Sequence, residues 1–261
     1  MAEQLESDFS VKTNKNNGRI LSRLWDWKDI SLMLIIFFFL LMITSIAAFF
    51  LAGSRFNLNG EITADGDPFL LVMYSLGGTL LAMLLPYFGI NALRKRHSLS
   101  ALGLGAMPEG WLWPSVGLGV AGTVVRMGIG FVLLEQFPAL EAGAEELSKM
   151  FVFEQSWQMV VVGLAATFIV PIYEEIFFRG VLHNGAANRL GVWGATLVSS
   201  TLFGLFHGFP IQIITAFLFG LIVGWLYEKT NSLWPVIICH LTNNGIVMGL
   251  TLISFWFGLD L

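Results

Sequence analysis

The stretch "ISLMLIIFFFLLMITSIAAFFLA", Ile30 to Ala52, runs for 23 residues without a charged side chain. As a helix rising 1.5 Å per residue it is about 34 Å long, enough to cross a hydrocarbon core of roughly 30 Å. Comparable runs follow at about Phe69–Leu93 and Trp111–Leu134, and another starts near Trp157 and runs into a charged segment after Val170. Further runs lie at about Val192–Phe206, Ile211–Tyr227 and Pro235–Phe257. The chain therefore reads as all-α, a polytopic membrane protein of about seven transmembrane helices. A transmembrane β-barrel would instead show short alternating segments.

Composition agrees. Of 261 residues, 56% are hydrophobic and 12% charged, too apolar for an ordinary soluble domain. The net charge of −4 and the lack of a basic patch give no reason to expect nucleic acid as a partner; membrane lipids are the expected surroundings. The single cysteine, Cys239, allows neither an intrachain disulfide nor a cysteine-based metal site. A polar N-terminal segment, 1–28, is expected to precede one transmembrane domain, 29–261, whose motif-bearing core is 157–257. The first apolar run is too long for a signal-peptide core and is expected to be retained.

Basic residues set an expected orientation. Lys12, Lys15, Arg19, Arg23 and Lys28 precede the first run, and Arg94, Lys95 and Arg96 follow the second. Arg179 and Arg189 follow the fourth and Lys229 the sixth. All fall on one side of the bilayer if the N-terminus is cytoplasmic, as the positive-inside rule requires. The expected location is the plasma (inner) membrane. The acidic loops, with Glu61, Asp65 and Asp67 and later Glu135, Glu141, Glu145, Glu146 and Glu154, would then face out.

Ionisable residues inside spans are costly and mark candidate sites. "VPIYEEIFFRGVLH", Val170 to His183, holds two adjacent glutamates and an arginine. Neighbours on a helix point about 100° apart, so Glu174 and Glu175 have different surroundings. Glu175 and Arg179, at i and i+4, can pair along one helix face, which leaves Glu174 to point elsewhere. The alternative, charges at a membrane border, is weakened by the polar residues downstream. His207 lies in the fifth run's end, and His240 and Asn244, again i and i+4, share a face of the last.

Depth favours a meeting of these groups. Glu174 and His207 are 33 residues apart, with Leu190–Gly191 midway. If "NRLG" turns the chain there, each residue stands about 24 Å from the turn on antiparallel arms. His240, counted from a turn at Thr230–Asn231, comes out nearer 15 Å, a mismatch that tilt would have to absorb.

"EEIFFR" (174–179), "FGLFH" (203–207) and "HLTNN" (240–244) resemble the EExxxR, FxxxH and HxxxN signatures of the CAAX-processing and bacteriocin-immunity (CPBP, or Abi) intramembrane proteases, relatives of the type II CAAX prenyl endopeptidases. The resemblance covers about Val170 to Gly249. It implies a helical intramembrane peptidase with a polar active-site cavity. Glu174 would activate water, His207 would help hold that water, and His240 and Asn244 would stabilise the oxyanion. Glu175 and Arg179 would support the site. The substrate class implied is a peptide or protein, with prenylated CAAX-type tails among the candidates.

Those roles suit the residue types. Amide hydrolysis needs a base within hydrogen-bond reach of water and donors fixed in advance for the developing oxyanion. Zinc is a competing reading, with Glu174, His207 and His240 as a His₂Glu set. The chain lacks HExxH, and a liganded Glu174 would be a poor base, so no cofactor is the expectation. Non-enzymatic readings are a scaffold, an immunity or regulatory protein, or a transporter; absence of an internal repeat and the polar residues' confinement to the C-terminal half weigh against the last.

Arg126, in the third run, is expected to be structural. His183, Asn184 and Asn188 read as polar residues near a helix end. Asn243 is a second candidate oxyanion donor beside Asn244, and Gly204, Gly220 and Gly224 are expected where helices approach closely.

Overall fold

A computed structural model describes residues 25, 27–57, 62–64, 66–94, 102–140, 153 and 155–257. Most of the polar N-terminal segment, the basic Lys95–His97 stretch, Glu61 and Asp65, and the acidic positions Glu141, Glu145, Glu146 and Glu154 lie outside them. Helices α1 (Trp27–Leu51) and α2 (Pro68–Arg94) are joined by a short antiparallel ribbon, β1 (Arg55–Phe56) with β2 (Ile62–Ala64). Asp67 starts α2: its Oδ1 accepts from the backbone N–H groups of Phe69 (2.8 Å) and Leu70 (3.2 Å), which would otherwise lack partners at a helix start. Pro68 then fits the first turn, where no donor is lost.

Helix α3 is Leu112–Gln136, followed by a 3₁₀ turn at Pro138–Leu140. Next comes a helical run in pieces: α4 (Ser156–Leu164), a π turn (Ala165–Ile169), α5 (Val170–Glu175), a second π segment (Ile176–His183) and α6 (Asn184–Leu205). Helices α7 (Pro210–Thr230) and α8 (Leu233–Phe257) complete the described fold. The protein is an integral, multi-pass membrane protein: among the described residues, six helical stretches are long and apolar enough to cross a bilayer. One of these, Ser156–Leu205, is 50 residues long and does not cross as one rod.

That stretch breaks inside α6 at Gly191, whose φ of 67° and ψ of −178° are not helical. This region is open essentially to glycine alone. The two arms fold back antiparallel about it. His183 Nε2 meets Thr196 Oγ1 at 3.0 Å, and the Phe178 and Phe203 rings stack edge-on at 5.2 Å. Both pairs are centred on residues 189–191, the turn expected from "NRLG". The sequence reading of about seven helices counts these arms separately.

Against the second arm lies α7, closer than a side chain would allow. A Cβ on Gly220 would stand 2.9 Å from the Ser200 Cβ, and one on Gly224 would stand 2.8 Å from the Thr196 Cγ2. Asn231, left-handed at φ 49°, ends α7, a position asparagine tolerates. The core centres on Phe177, Phe178, Phe203 and Phe219, and α1 reaches it through Phe37, whose ring lies 4.6 Å from Phe177. The opposite face of α1, with Ile35, Phe38, Phe39 and Met42, is exposed, as a lipid-facing surface should be.

Candidate active site

The two glutamates sit where the helical geometry changes, between the π turns. Pro171 explains part of that placement. In the π register the Val170 N–H reaches back five residues to the Ala165 carbonyl. The next donor would serve Ala166, but residue 171 is proline and has no N–H. Asn244 Nδ2, from α8, donates to that Ala166 carbonyl at 3.0 Å. An orphaned carbonyl in a bilayer is costly, so α8 is drawn onto the segment that carries Glu174.

Glu175 and Arg179 are both fully buried and paired, with Arg179 Nη1 3.2 Å from Glu175 Oε2. Arg179 Nη2 also donates to the Gly220 carbonyl of α7 at 3.2 Å, and its guanidinium lies 4.7 Å from the Phe203 ring centre. The other carboxylate oxygen of Glu175 takes a second partner, His240 Nδ1, at 2.6 Å. A carboxylate oxygen held against a guanidinium is an acceptor, so Nδ1 carries the hydrogen.

His240 thus presents Nε2 to Glu174, whose Oε2 lies 3.7 Å away. Glu174 is 6% exposed, turned into the protein rather than to lipid. The imidazole is held between Phe203 (5.7 Å) and Phe219 (5.1 Å). The expected depth mismatch of His240 is absorbed, since its ring reaches Glu174. His207 lies in the turn between α6 and α7, with Nδ1 2.8 Å from the Phe203 carbonyl and its ring 4.9 Å from Phe203. A carbonyl only accepts, so Nδ1–H donates and Nε2 is left as the acceptor.

Asn243 is fully buried. Its Oδ1 accepts from Thr123 Oγ1 and Arg126 Nη1, each at 3.2 Å, and its Nδ2 donates to Asn244 Oδ1 at 2.9 Å. It therefore orients Asn244, and a cation of α3 joins the same network. The Arg126 guanidinium also lies 5.5 Å from the centre of the Phe219 ring, which packs against His240. Neither relation is visible in the three motifs. The available signal was a lone arginine inside an apolar run.

Among the described residues, no three of His, Cys, Asp and Glu gather in metal-binding geometry. Glu174, His207 and His240 therefore do not form a three-ligand set as placed, and His240 Nδ1 is committed to Glu175. His183, which reads from sequence as a helix-end residue, is buried against Thr196 and Tyr227.

Beside the site lies an apolar cavity of about 550 Å³, lined by Leu34, Phe37, Phe38 and Leu41 of α1 and by Phe177, Phe178 and Phe206 among others. Phe178 and Phe206 are in ring contact, 6.1 Å between centres, and Phe206 precedes His207. The cavity and the polar cluster therefore share a wall.

Residues 156–246 match the family model described as "Type II CAAX prenyl endopeptidase Rce1-like". A Bacillus subtilis (strain 168) protein, "Putative membrane peptidase YdiL", is 28% identical over 85 residues, 33% of this chain. The matched part spans about a third (35%) of that relative's length. No solved structure matches the chain. These matches support the family read from the three motifs, and the family model covers the segment that carries Glu174, His207 and His240.

Proposed function

We propose, from the premise that this chain is a CAAX-processing and bacteriocin-immunity family protein, that it is an intramembrane endopeptidase in which Glu174 activates water. The observation that carries the reading is the chain Arg179–Glu175–His240–Glu174, a buried imidazole held by one glutamate and facing another. Glu175 fixes the ring, and Glu174 is left as the base.

In this reading Glu174 takes a proton from water as the oxygen attacks the scissile carbonyl. His207 Nε2, an acceptor with its other nitrogen tied to Phe203, helps orient that water. Neutral His240 is an acceptor at Nε2, so for it to donate to the oxyanion it must receive a proton there. Glu174, 3.7 Å away, is the group placed to pass one on. Asn244 spends one amide hydrogen on Ala166, and its second is directed to the oxyanion. A metal is not needed for any of these steps. The apolar cavity is suited to a hydrocarbon substituent of the substrate, a prenyl group being one that fits its chemistry.

Replacing Glu174 with Gln keeps the shape and removes the base. Cleavage of peptide pools by the purified protein in lipid should fall by at least about 10²-fold while the protein stays folded, and wild-type activity should survive chelation. A Glu174→Gln chain that cuts as well as wild type would overturn the reading.

A further inference from the structure

Asn243 and Asn244 are neighbours on α8, where successive side chains point about 100° apart. Their amides meet all the same, Asn243 Nδ2 donating to Asn244 Oδ1 at 2.9 Å. That contact is the middle link of a longer chain. Arg126 Nη1 donates to Asn243 Oδ1 at 3.2 Å, Asn243 donates to Asn244, and Asn244 Nδ2 donates to the Ala166 carbonyl at 3.0 Å. Three hydrogen bonds thus run from α3 through α8 to the π turn at Ala165–Ile169.

The chain can run only one way. A guanidinium only donates, and a backbone carbonyl only accepts. Turning over either amide, or both, sets two donors or two acceptors against each other at one of the links. Thr123 Oγ1, which donates to the Gly119 carbonyl (2.9 Å) and to Asn243 Oδ1 (3.2 Å), supports the same orientation. With its Oδ1 engaged by Asn243 and one Nδ2 hydrogen by Ala166, Asn244 has its second Nδ2 hydrogen left to give. An oxyanion is best met by a donor that need not turn as charge develops. Hydrogen bonds in series also polarise one another, and this series starts at a charged donor, which strengthens the N–H groups at its far end.

We propose that Asn243 is a positioning residue for hydrolysis: through a one-way chain of hydrogen bonds begun by Arg126, it locks the Asn244 amide with a donor turned toward the oxyanion. The proposal rests on the peptidase reading and goes beyond it, since Asn243 occupies an unspecified position of HxxxN and Arg126 lies outside 156–246. The rival role, in which Asn243 only ties α8 to α3, predicts a less stable protein whose folded fraction turns over normally.

Asn243→Asp separates the two. It keeps the shape and can pair with Arg126, but a carboxylate cannot donate to Asn244 Oδ1 and draws Asn244 Nδ2 toward itself instead. The full chain in lipid nanodiscs is assayed, with enzyme in excess so that slow turnover is readable, on a peptide that wild type cuts. The maximal rate should fall at least about tenfold, and half-saturation should stay within about twofold, because the interaction lost is one made in the transition state. In an Asn244→Ala background the same change should cost less than about twofold, since Asn243 acts through Asn244. Thr123→Val, which removes one supporting donor, should lower the rate about threefold, again only with Asn244 present, and it serves if Asn243→Asp fails to fold. Side-chain amide NMR of the chain labelled with ¹⁵N-asparagine reads the lock without hydrolysis. One Asn244 Nδ2 hydrogen, identified by its loss in Asn244→Ala, should exchange slowly in wild type and quickly in Asn243→Asp. A folded Asn243→Asp chain with an unchanged rate, a loss that persists in full without Asn244, or an Asn244 amide that stays protected overturns the proposal. Any of these in a chain whose wild type hydrolyses peptides rejects the positioning role alone. Protection of Asn244 that depends on Asn243, in a wild-type chain that hydrolyses nothing, supports the lock and rejects the peptidase reading alone.

Discussion

Adjacent glutamates in this protein live in different electrostatic worlds. Glu175 holds a guanidinium and an imidazole, both buried with it. Replacing it with Gln strands the Arg179 charge inside the protein, which typically costs about 3–5 kcal/mol. Among the described residues, Glu174 has no such partner at ion-pair distance other than the edge of His240 at 3.7 Å. Thermal unfolding in detergent should therefore separate the two. Glu175→Gln should lower the unfolding temperature markedly, and Glu174→Gln should barely change it while silencing hydrolysis. Equal shifts for both would mean that the two carboxylates share one role. The division between the glutamates was legible in the sequence, because i,i+4 spacing puts Glu175 and Arg179 on one face. The link from Glu175 to His240 was not: periodicity relates residues on one helix and is silent about which face a distant helix presents.

At the scale of elements, the site is built around a helix that cannot complete its own hydrogen bonds. Pro171 leaves the Ala166 carbonyl unserved, and Asn244 on α8 supplies the missing donor. A double-mutant cycle tests this coupling. Asn244→Ala alone should cost about 1–3 kcal/mol for the unsatisfied buried carbonyl. In a Pro171→Ala background, where residue 171 regains an N–H, the same change should cost less, with a coupling energy of about 0.5–3 kcal/mol. If stability returns in the double mutant but hydrolysis does not, Asn244 acts on the oxyanion as well as on the helix. If both return, its role is to hold the segment. Sequence spacing picked out Asn244 by its relation to His240, and the same spacing hid the π turn, since an i→i+5 bond leaves no periodic signature. The hairpin was different. A glycine midway between Glu174 and His207 was enough to place the turn, because only glycine suits the backbone found at residue 191.

For the whole molecule, the turns sort by end. Trp25 is tied to Asn188 next to the Gly191 turn, its carbonyl accepting from Nδ2 at 2.8 Å. The segment before α3 is tied to the start of α8, where the Leu233 N–H donates to the Gly103 carbonyl at 2.9 Å and Trp234 Nε1 to the Gly105 carbonyl at 2.7 Å. The entry to α1, the α2–α3 connection, the Gly191 turn and the α7–α8 turn therefore share one end. Arg189 and Lys229 stand at these turns, and Arg94 closes α2 toward the same end. The β-ribbon, Asp67 and the His207 turn lie at the other. The positive-inside rule predicts that the first end is cytoplasmic, which would put His207, about 24 Å from Gly191 by helix rise, toward the outer half of the bilayer. Cys239 is buried, so a chain in which it is replaced by Ser gives a clean background for single cysteines. In intact cells a membrane-impermeant maleimide should reach a cysteine at exposed Asp67 and should reach one at exposed Arg189 only after permeabilisation. The reverse pattern would invert the molecule, placing the Glu174–His240 pair nearest the cytoplasmic face and making cytoplasmic C-terminal tails its accessible substrates.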